Sequence, residues 1–204
     1  MFFRIGQESM QDSMRGKFYK MIIGVCGRIG AGKETLTKFL TKEGFEYFET
    51  RRVLNEHLTE QGKELSRTNM QDLADKWRSE DGVGALMKKI IERLDLSKNH
   101  IIDSLRNFGE AEFLRQELGE DFILIGVDAP REIRFERIKK RGKQSDLLDW
   151  ENFLKVDERD NFDPDNPMGQ QTGKCIEGSD FVVMNDKDLN SAMEQVKKIW
   201  NEIN

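Results

Sequence analysis

The stretch from Gly27 to Thr35, GRIGAGKET, limits the possible folds more than any other part of the 204-residue chain. It follows the apolar run Met21–Cys26, whose β-branched residues read as a buried strand. It precedes Leu36, Phe39 and Leu40, whose spacing predicts a helix. Glycines at 27, 30 and 32 and a lysine at 33 therefore lie between a strand and a helix. A backbone that wraps an anion must turn its N–H groups inward, and glycine permits this because it tolerates positive φ and has no Cβ in the way. A helix beginning near Lys33 adds unpaired N–H groups and the positive end of its dipole. Lys33 adds a point charge. The residues Gly27, Arg28, Ile29, Gly30, Ala31, Gly32, Lys33, Glu34 and Thr35 are thus read as a loop that holds the phosphates of a nucleotide.

The charge balance narrows the ligand. Net charge is −5, charged residues make up 35% of the chain, and the two signs are interleaved. No long basic run is present, so nucleic acid is not the expected partner. A small anionic ligand can still be met by locally gathered arginines. The two cysteines, Cys26 and Cys175, have no metal-ligand spacing and fit a reducing compartment, so the expected location is cytoplasmic. No apolar run approaches the ~20 residues of a membrane span. Residues 1–20 are polar and lack a secretory apolar core; they read as a loose extension, with Met21 opening the folded domain.

Strand and helix patterns alternate along the chain. Phe45–Phe48, His100–Asp103, Phe122–Asp128 and Asp180–Asn185 read as further strands. Helical patterns cover residues 51–62, the Met70–Trp77 and Leu86–Leu94 stripes, 109–118, Pro130 to Arg141, and Leu189 to Trp200. The expectation is an α/β fold of three layers, with a five-stranded parallel sheet and helices on both faces. Residues 142–173 are polar and rich in glycine and proline, too long for a plain connection, and read as a lid insert containing a short helix in LLDWENFL.

Several side chains could complete a site. Asp103 ends a strand at the edge that borders the ligand crevice of a parallel sheet, where a carboxylate can hold magnesium or orient an acceptor. In SRTNMQDLADKWR, Gln71 and Arg78 project within about 20° of each other, beside the Met70, Leu73, Ala74 and Trp77 stripe. Arg67 and Arg78 offer guanidinium forks for a phosphate. Gln71 has two readings, contact with a base edge or the second member of a Thr68-x-x-Gln71 capping box. Arg137 and Arg141 share a helix face before the insert, and Arg159 lies within it. Glu34 stands where many phosphate loops have Ser or Thr. It is read as pointing to solvent, with magnesium contact through water as the alternative.

The pattern G-x-x-G-x-G-K-x-T resembles the loop of adenylate kinase and other nucleoside monophosphate kinases. Together with R-x-N-x-Q-D-L-A-x-x-x-R, D-x-x-R-N-x-x-E and GSDFVVMND, it makes residues 21–202 resemble the P-loop nucleotide kinases. The similar branches are the (deoxy)nucleoside monophosphate kinases, and dephospho-CoA kinase with its uncharacterised archaeal-type relatives. The resemblance implies ATP and Mg2+, with Thr35 and Asp103 near the metal. It implies Arg67, Arg78 and Arg106 around the acceptor, and Arg137, Arg141 and Arg159 closing with the lid. It also implies backbone contact with adenine near Asn185. The implied activity is phosphoryl transfer to a nucleoside monophosphate, or to the ribose hydroxyl of dephospho-CoA, by a monomer or homodimer. A non-catalytic ATP sensor is the reading of another class. The GTPase patterns D-x-x-G and N-K-x-D are not matched by Asp103-Ser-Leu-Arg and Asn185-Asp-Lys-Asp.

Overall fold

The computed structural model describes residues 20–142, 149–162 and 165–204. Most of the expected N-terminal extension, and residues 143–148 and 163–164 of the expected insert, lie outside these. The chain runs β1 (Ile22–Gly27), α1 (Glu34–Lys42), β2 (Glu46–Glu49), α2 (Thr50–Glu60), α3 (Arg67–Asp81) and α4 (Ala85–Ile91). It continues through β3 (His100–Leu105), α5 (Phe108–Leu118), β4 (Phe122–Asp128), α6 (Arg131–Arg141) and α7 (Trp150–Asn161). It ends with α8 (Thr172–Glu177), β5 (Phe181–Met184) and α9 (Leu189–Ile203).

The strands form one five-stranded sheet in the order β2-β3-β1-β4-β5. Every pairing is parallel. Alternation along β1 divides the core into two layers. Ile22 and Cys26 join the cluster built from α2, α3, α4, α5 and α8, while Ile23 and Val25 join the one built from α1 and α9. α9 meets the sheet through Ala192, Val196 and Ile199, a helical spacing of four and three. Trp200 packs edge-on against Phe45 at 5.8 Å and Phe39 at 6.4 Å. Both cysteines are buried and free, and burial pushes the Cys26 thiol up to about 11, so it is a packing residue and not a nucleophile. Among the described residues no helix is long and apolar enough to cross a membrane.

β3 breaks the alternation at the point that matters for the site. Val25 pairs with Asp103, but the next residue, Cys26, pairs with Leu105. Ser104 is the extra residue, with φ of 71° in the left-handed region. The bulge returns Leu105 to the same core layer as Ile102, an offset of three that a regular strand forbids. Such a conformation costs on the order of 1–3 kcal/mol and is held by its surroundings. It places Ser104 and Arg106 on the wall of the cavity described below.

Candidate active site

Because all strands are parallel, the segments after β1, β3, β4 and β5 emerge at one edge of the sheet. The loop after β1 is held there by side chains from β4, α6, α7 and the segment after β5. Gly30 has φ of +79°, and a Cβ on it would meet the Arg134 carbonyl oxygen at 2.6 Å. Gly32 has φ of +90°, and a Cβ would meet Asn185 Nδ2 at 2.4 Å. These glycines therefore answer both needs at once, a left-handed turn and a close approach from behind.

Asn185 is buried, and its Nδ2 donates to the Ala31 carbonyl at 2.9 Å. Its Oδ1 accepts from Arg137 Nη2 at 3.1 Å, and Arg137 Nη1 also reaches the Ala31 carbonyl at 3.4 Å. The resemblance implied an adenine-side backbone role for Asn185 and a lid role for Arg137; here both side chains brace the loop. Arg134 is buried and donates to the Ala129 carbonyl at 2.9 Å and the Ile29 carbonyl at 3.2 Å. Arg28 bonds Asp128 at the end of β4 and donates from Nη2 to Asn161 Oδ1 at 2.8 Å.

Lys33 is half-buried and donates to the Gly27 carbonyl at 3.2 Å. Burial, and then the Arg106 charge, lower its pKa, while Asp103 and Asp160 oppose that shift. Those influences bring Lys33, Asp103, Arg106 and Asp160 into one electrostatic neighbourhood. Glu34 is exposed and pairs with Lys38 one turn on at 2.7 Å. Thr35 is half-buried in the first turn of α1, its amide donating to the Gly32 carbonyl at 3.1 Å.

A cavity of about 520 Å³ opens from Lys33 towards α3 and β3. Arg67, Gln71, Arg78 and Arg106, the residues expected around the acceptor, all line it, as does Arg141, which was expected with the lid. Asp103 lies beside it, buried, with Oδ2 accepting from the Tyr47 hydroxyl at 2.6 Å. Its Oδ1 is buried with no hydrogen-bond partner. That carboxylate also raises the Tyr47 pKa, after burial as the larger cause.

Arg78 is set apart from the other arginines. Its side chain is only 3% exposed, and it donates to Glu110 Oε1 from Nε at 3.1 Å and Nη2 at 3.0 Å. Nη1 donates to Asp75 at 2.7 Å and to the Met168 carbonyl at 2.9 Å. The Arg78 guanidinium is thus committed to the protein. The cap of α3 also differs from the expected box. Ser66 is the N-cap, accepting from the Asn69 amide at 3.2 Å, because the helix starts one residue before Thr68. Gln71 is therefore not a capping side chain; its Oε1 accepts from Arg159.

The last turn of α7 reaches this cavity through Asp160. Asp157 is buried and bonds Arg134 Nη2 at 2.8 Å and Arg131 Nε at 3.0 Å. Asp160 is buried, bonds Arg67, and lies 3.7 Å from Arg106 Nη1. Sequence reading missed Asp157, Asp160, Asn161, Arg134 and Tyr47, and quoted Glu110 only as the last residue of D-x-x-R-N-x-x-E, with no role. Only Glu110 carried a signal, since Asn107-x-x-Glu110 is a capping-box pattern at a helix start.

The family described as "AAA domain" matches residues 23–160. A UPF0200 protein of Methanocaldococcus jannaschii is 30% identical over 187 residues, covering 90% of each chain. The chain belongs to the AAA-domain and UPF0200 families. A UPF0200 protein of Thermococcus onnurineus is also 30% identical, over 90% of this chain and 98% of its own. Among solved structures, a shikimate kinase from Bacteroides thetaiotaomicron matches with a TM-score of 0.57 at 14% identity, over 90% of this chain and 98% of its own. A gluconokinase from Sinorhizobium meliloti matches at 0.55 and 15%, over 92% and 97%. At such identities these likenesses show the P-loop kinase fold, which agrees with the sheet order and the loop geometry above.

Proposed function

We propose that the chain is an ATP-dependent phosphotransferase whose acceptor is a small phosphate-bearing molecule, most simply a (deoxy)nucleoside monophosphate. The observation that carries this reading is one cavity lined both by the glycine-lysine loop and by Arg67 and Arg106. Phosphoryl transfer needs positioning and charge stabilisation more than covalent chemistry, and this arrangement supplies both. Lys33 and the loop amides would hold the donor phosphates. Arg67 and Arg106 would bind the acceptor phosphate and reduce its repulsion with ATP. Gln71, free of any capping duty but with Oε1 accepting from Arg159, would offer its amide N–H groups to a base edge. Kinases with this fold, such as those named for shikimate and gluconate, also act on small anionic molecules.

Magnesium fits the residues present. Among the described residues no group of three or more His, Cys, Asp or Glu could hold a metal alone. The ion would therefore share its ligands with nucleotide phosphates, as Mg2+ commonly does, with Thr35 and the unpartnered Asp103 Oδ1 as protein contacts. It would neutralise charge on the transferring group. Arg137 and Arg141 would lie on the donor side, and α7 with Arg159 would form the lid that excludes water.

A second reading is favoured by the same Asp103 oxygen. With Oδ2 fixed by Tyr47, Oδ1 could accept a proton from an acceptor hydroxyl, as transfer to dephospho-CoA would require. A panel of ribo- and deoxynucleoside monophosphates and dephospho-CoA, each with ATP and magnesium, separates the two. Turnover of dephospho-CoA alone would overturn the first reading, and turnover of none would favour an ATP sensor. With an acceptor in hand, Arg106→Ala is expected to raise its KM about 10- to 100-fold, the cost of a lost charged hydrogen bond. ATP affinity should be nearly unchanged, and a selective loss of ATP affinity would move Arg106 to the donor side.

A further inference from the structure

We infer that Asp160 is a built-in occupant of the acceptor's anion site, and that a phosphate dianion binds by displacing it and releasing the last turn of α7. The inference rests on reading Arg67 and Arg106 as that site. Asp160 comes from the far end of the chain's helix α7, yet its carboxylate bonds Arg67 from α3 and lies 3.7 Å from Arg106 after β3. The side chain is 4% exposed, whereas Arg67 and Arg106 are 44% and 36% exposed. A buried anion therefore sits between two cations that still face the open cavity. That is the position a ligand anion would take.

Two further observations say that this carboxylate is a replaceable occupant. Its Oδ1 is buried with no partner, so the carboxylate fits the site less well than a ligand that satisfies every oxygen. Charge favours exchange in one direction. Arg67, Arg106 and Lys33 stand against Asp160 and Asp103 in this neighbourhood, which leaves one positive charge uncompensated. A phosphate dianion supplies the second negative charge and three acceptor oxygens, whereas a monocarboxylate merely repeats what Asp160 already offers. The site is accordingly selective for phosphate monoesters over simple carboxylates.

The consequence reaches the donor loop. Asn161, next to Asp160, holds Arg28 of the glycine loop at 2.8 Å. Arg159, on its other side, holds Gln71. The earlier part of α7 is pinned separately by Asp157 on Arg131 and Arg134. Displacing Asp160 thus frees Arg159–Asn161 while the rest of the helix stays docked. Gln71 then loses its Arg159 contact, and Arg28 keeps only its bond to Asp128. Acceptor arrival is coupled to the state of the donor loop.

The test uses inorganic phosphate and calorimetry, with no nucleotide. A competitor that holds a site nine-tenths of the time weakens apparent affinity about tenfold, so Asp160→Asn is expected to bind phosphate about tenfold more tightly than the unaltered chain. The gain should vanish in Asp160→Asn/Arg106→Ala and survive in Asp160→Asn/Lys33→Ala. Equal phosphate affinity with and without Asp160→Asn would overturn the inference, as would a gain that depends on Lys33 and not on Arg106. Acetate, drawn to the same arginines, should gain by a similar factor yet bind far more weakly than phosphate in both proteins; acetate binding to Asp160→Asn as tightly as phosphate would overturn the selectivity. Should Asp160→Asn fail to fold, hydrogen exchange on the unaltered chain decides. Phosphate should raise exchange at residues 159–161 and leave α6 unchanged, and no change in that turn would reject displacement. Neither measurement involves ATP or turnover, so a chain that transfers nothing can pass and an active kinase can fail.

Discussion

Lys33→Ala is expected to lower phosphoryl transfer by about 10²- to 10³-fold, comparable to removing one preorganised donor from a developing charge, while the protein remains folded. The separation of the two effects follows from the contacts of Lys33. Its hydrogen bond is to the Gly27 carbonyl, at the long distance of 3.2 Å, and burial already disfavours its charge. Removing an amine that is poorly accommodated in the resting chain costs little stability. Donor phosphates supply what the resting site lacks, a dense negative charge close to the amine, so the lysine contributes mainly once nucleotide is bound. Lys33→Arg is not an equivalent replacement, because a planar fork cannot follow a moving phosphoryl group as a compact ammonium does. Single-turnover rates on an active acceptor, with thermal unfolding of the same preparations, measure both quantities. A wild-type rate from folded Lys33→Ala would reject the role given to the loop.

The parts of the fold that could be read from residues are those whose signal is local. β1 and β4 are apolar runs bounded by loop residues, and α9 carries a clear stripe, so their positions agree with the sequence patterns to within three residues at each end. α8 was not legible, because a helix of six residues containing Gly173 is too short to show a period. α7 was legible only as a short helix inside a polar insert. The loop residues 27–35 were legible because glycine, lysine and element order must coincide there. What surrounds them was not. Asp157 and Asp160 look like surface charges in DERD, and nothing in their neighbours announces that α7 turns them onto Arg134 and Arg67. The bulge at Ser104 was hidden for a similar reason, since its cause is the packing of Leu105 and not any turn residue at the site.

Arg78 gives the second large expected effect, and it is on stability. An arginine on the same helix edge as Gln71 suggests ligand contact when only helix geometry is known. The fold instead buries it against Glu110, whose side chain is 1% exposed. Glu110 is doubly engaged. Oε1 takes Arg78, while Oε2 accepts from the Arg106 and Asn107 amides at 3.0 and 3.1 Å. The pair therefore fixes the backbone from which Arg106 reaches the cavity. Arg78→Ala or Glu110→Ala leaves a buried charge without its partner and is expected to destabilise the protein by about 3–5 kcal/mol. Arg67→Ala should cost less than either, because Arg67 is 44% exposed and Asp160 keeps the Arg106 guanidinium at 3.7 Å. Arg78→Met/Glu110→Leu removes both charges together and should recover much of the single-variant loss, although the Arg106 and Asn107 amides still lose their acceptor. Urea unfolding of Arg78→Met, Glu110→Leu and the double variant beside the unaltered chain gives the coupling directly. The acceptor KM distinguishes the alternatives further. If Arg78→Ala kept wild-type stability and raised the acceptor KM as Arg106→Ala does, Arg78 would belong to the acceptor and not to the frame that holds Arg106.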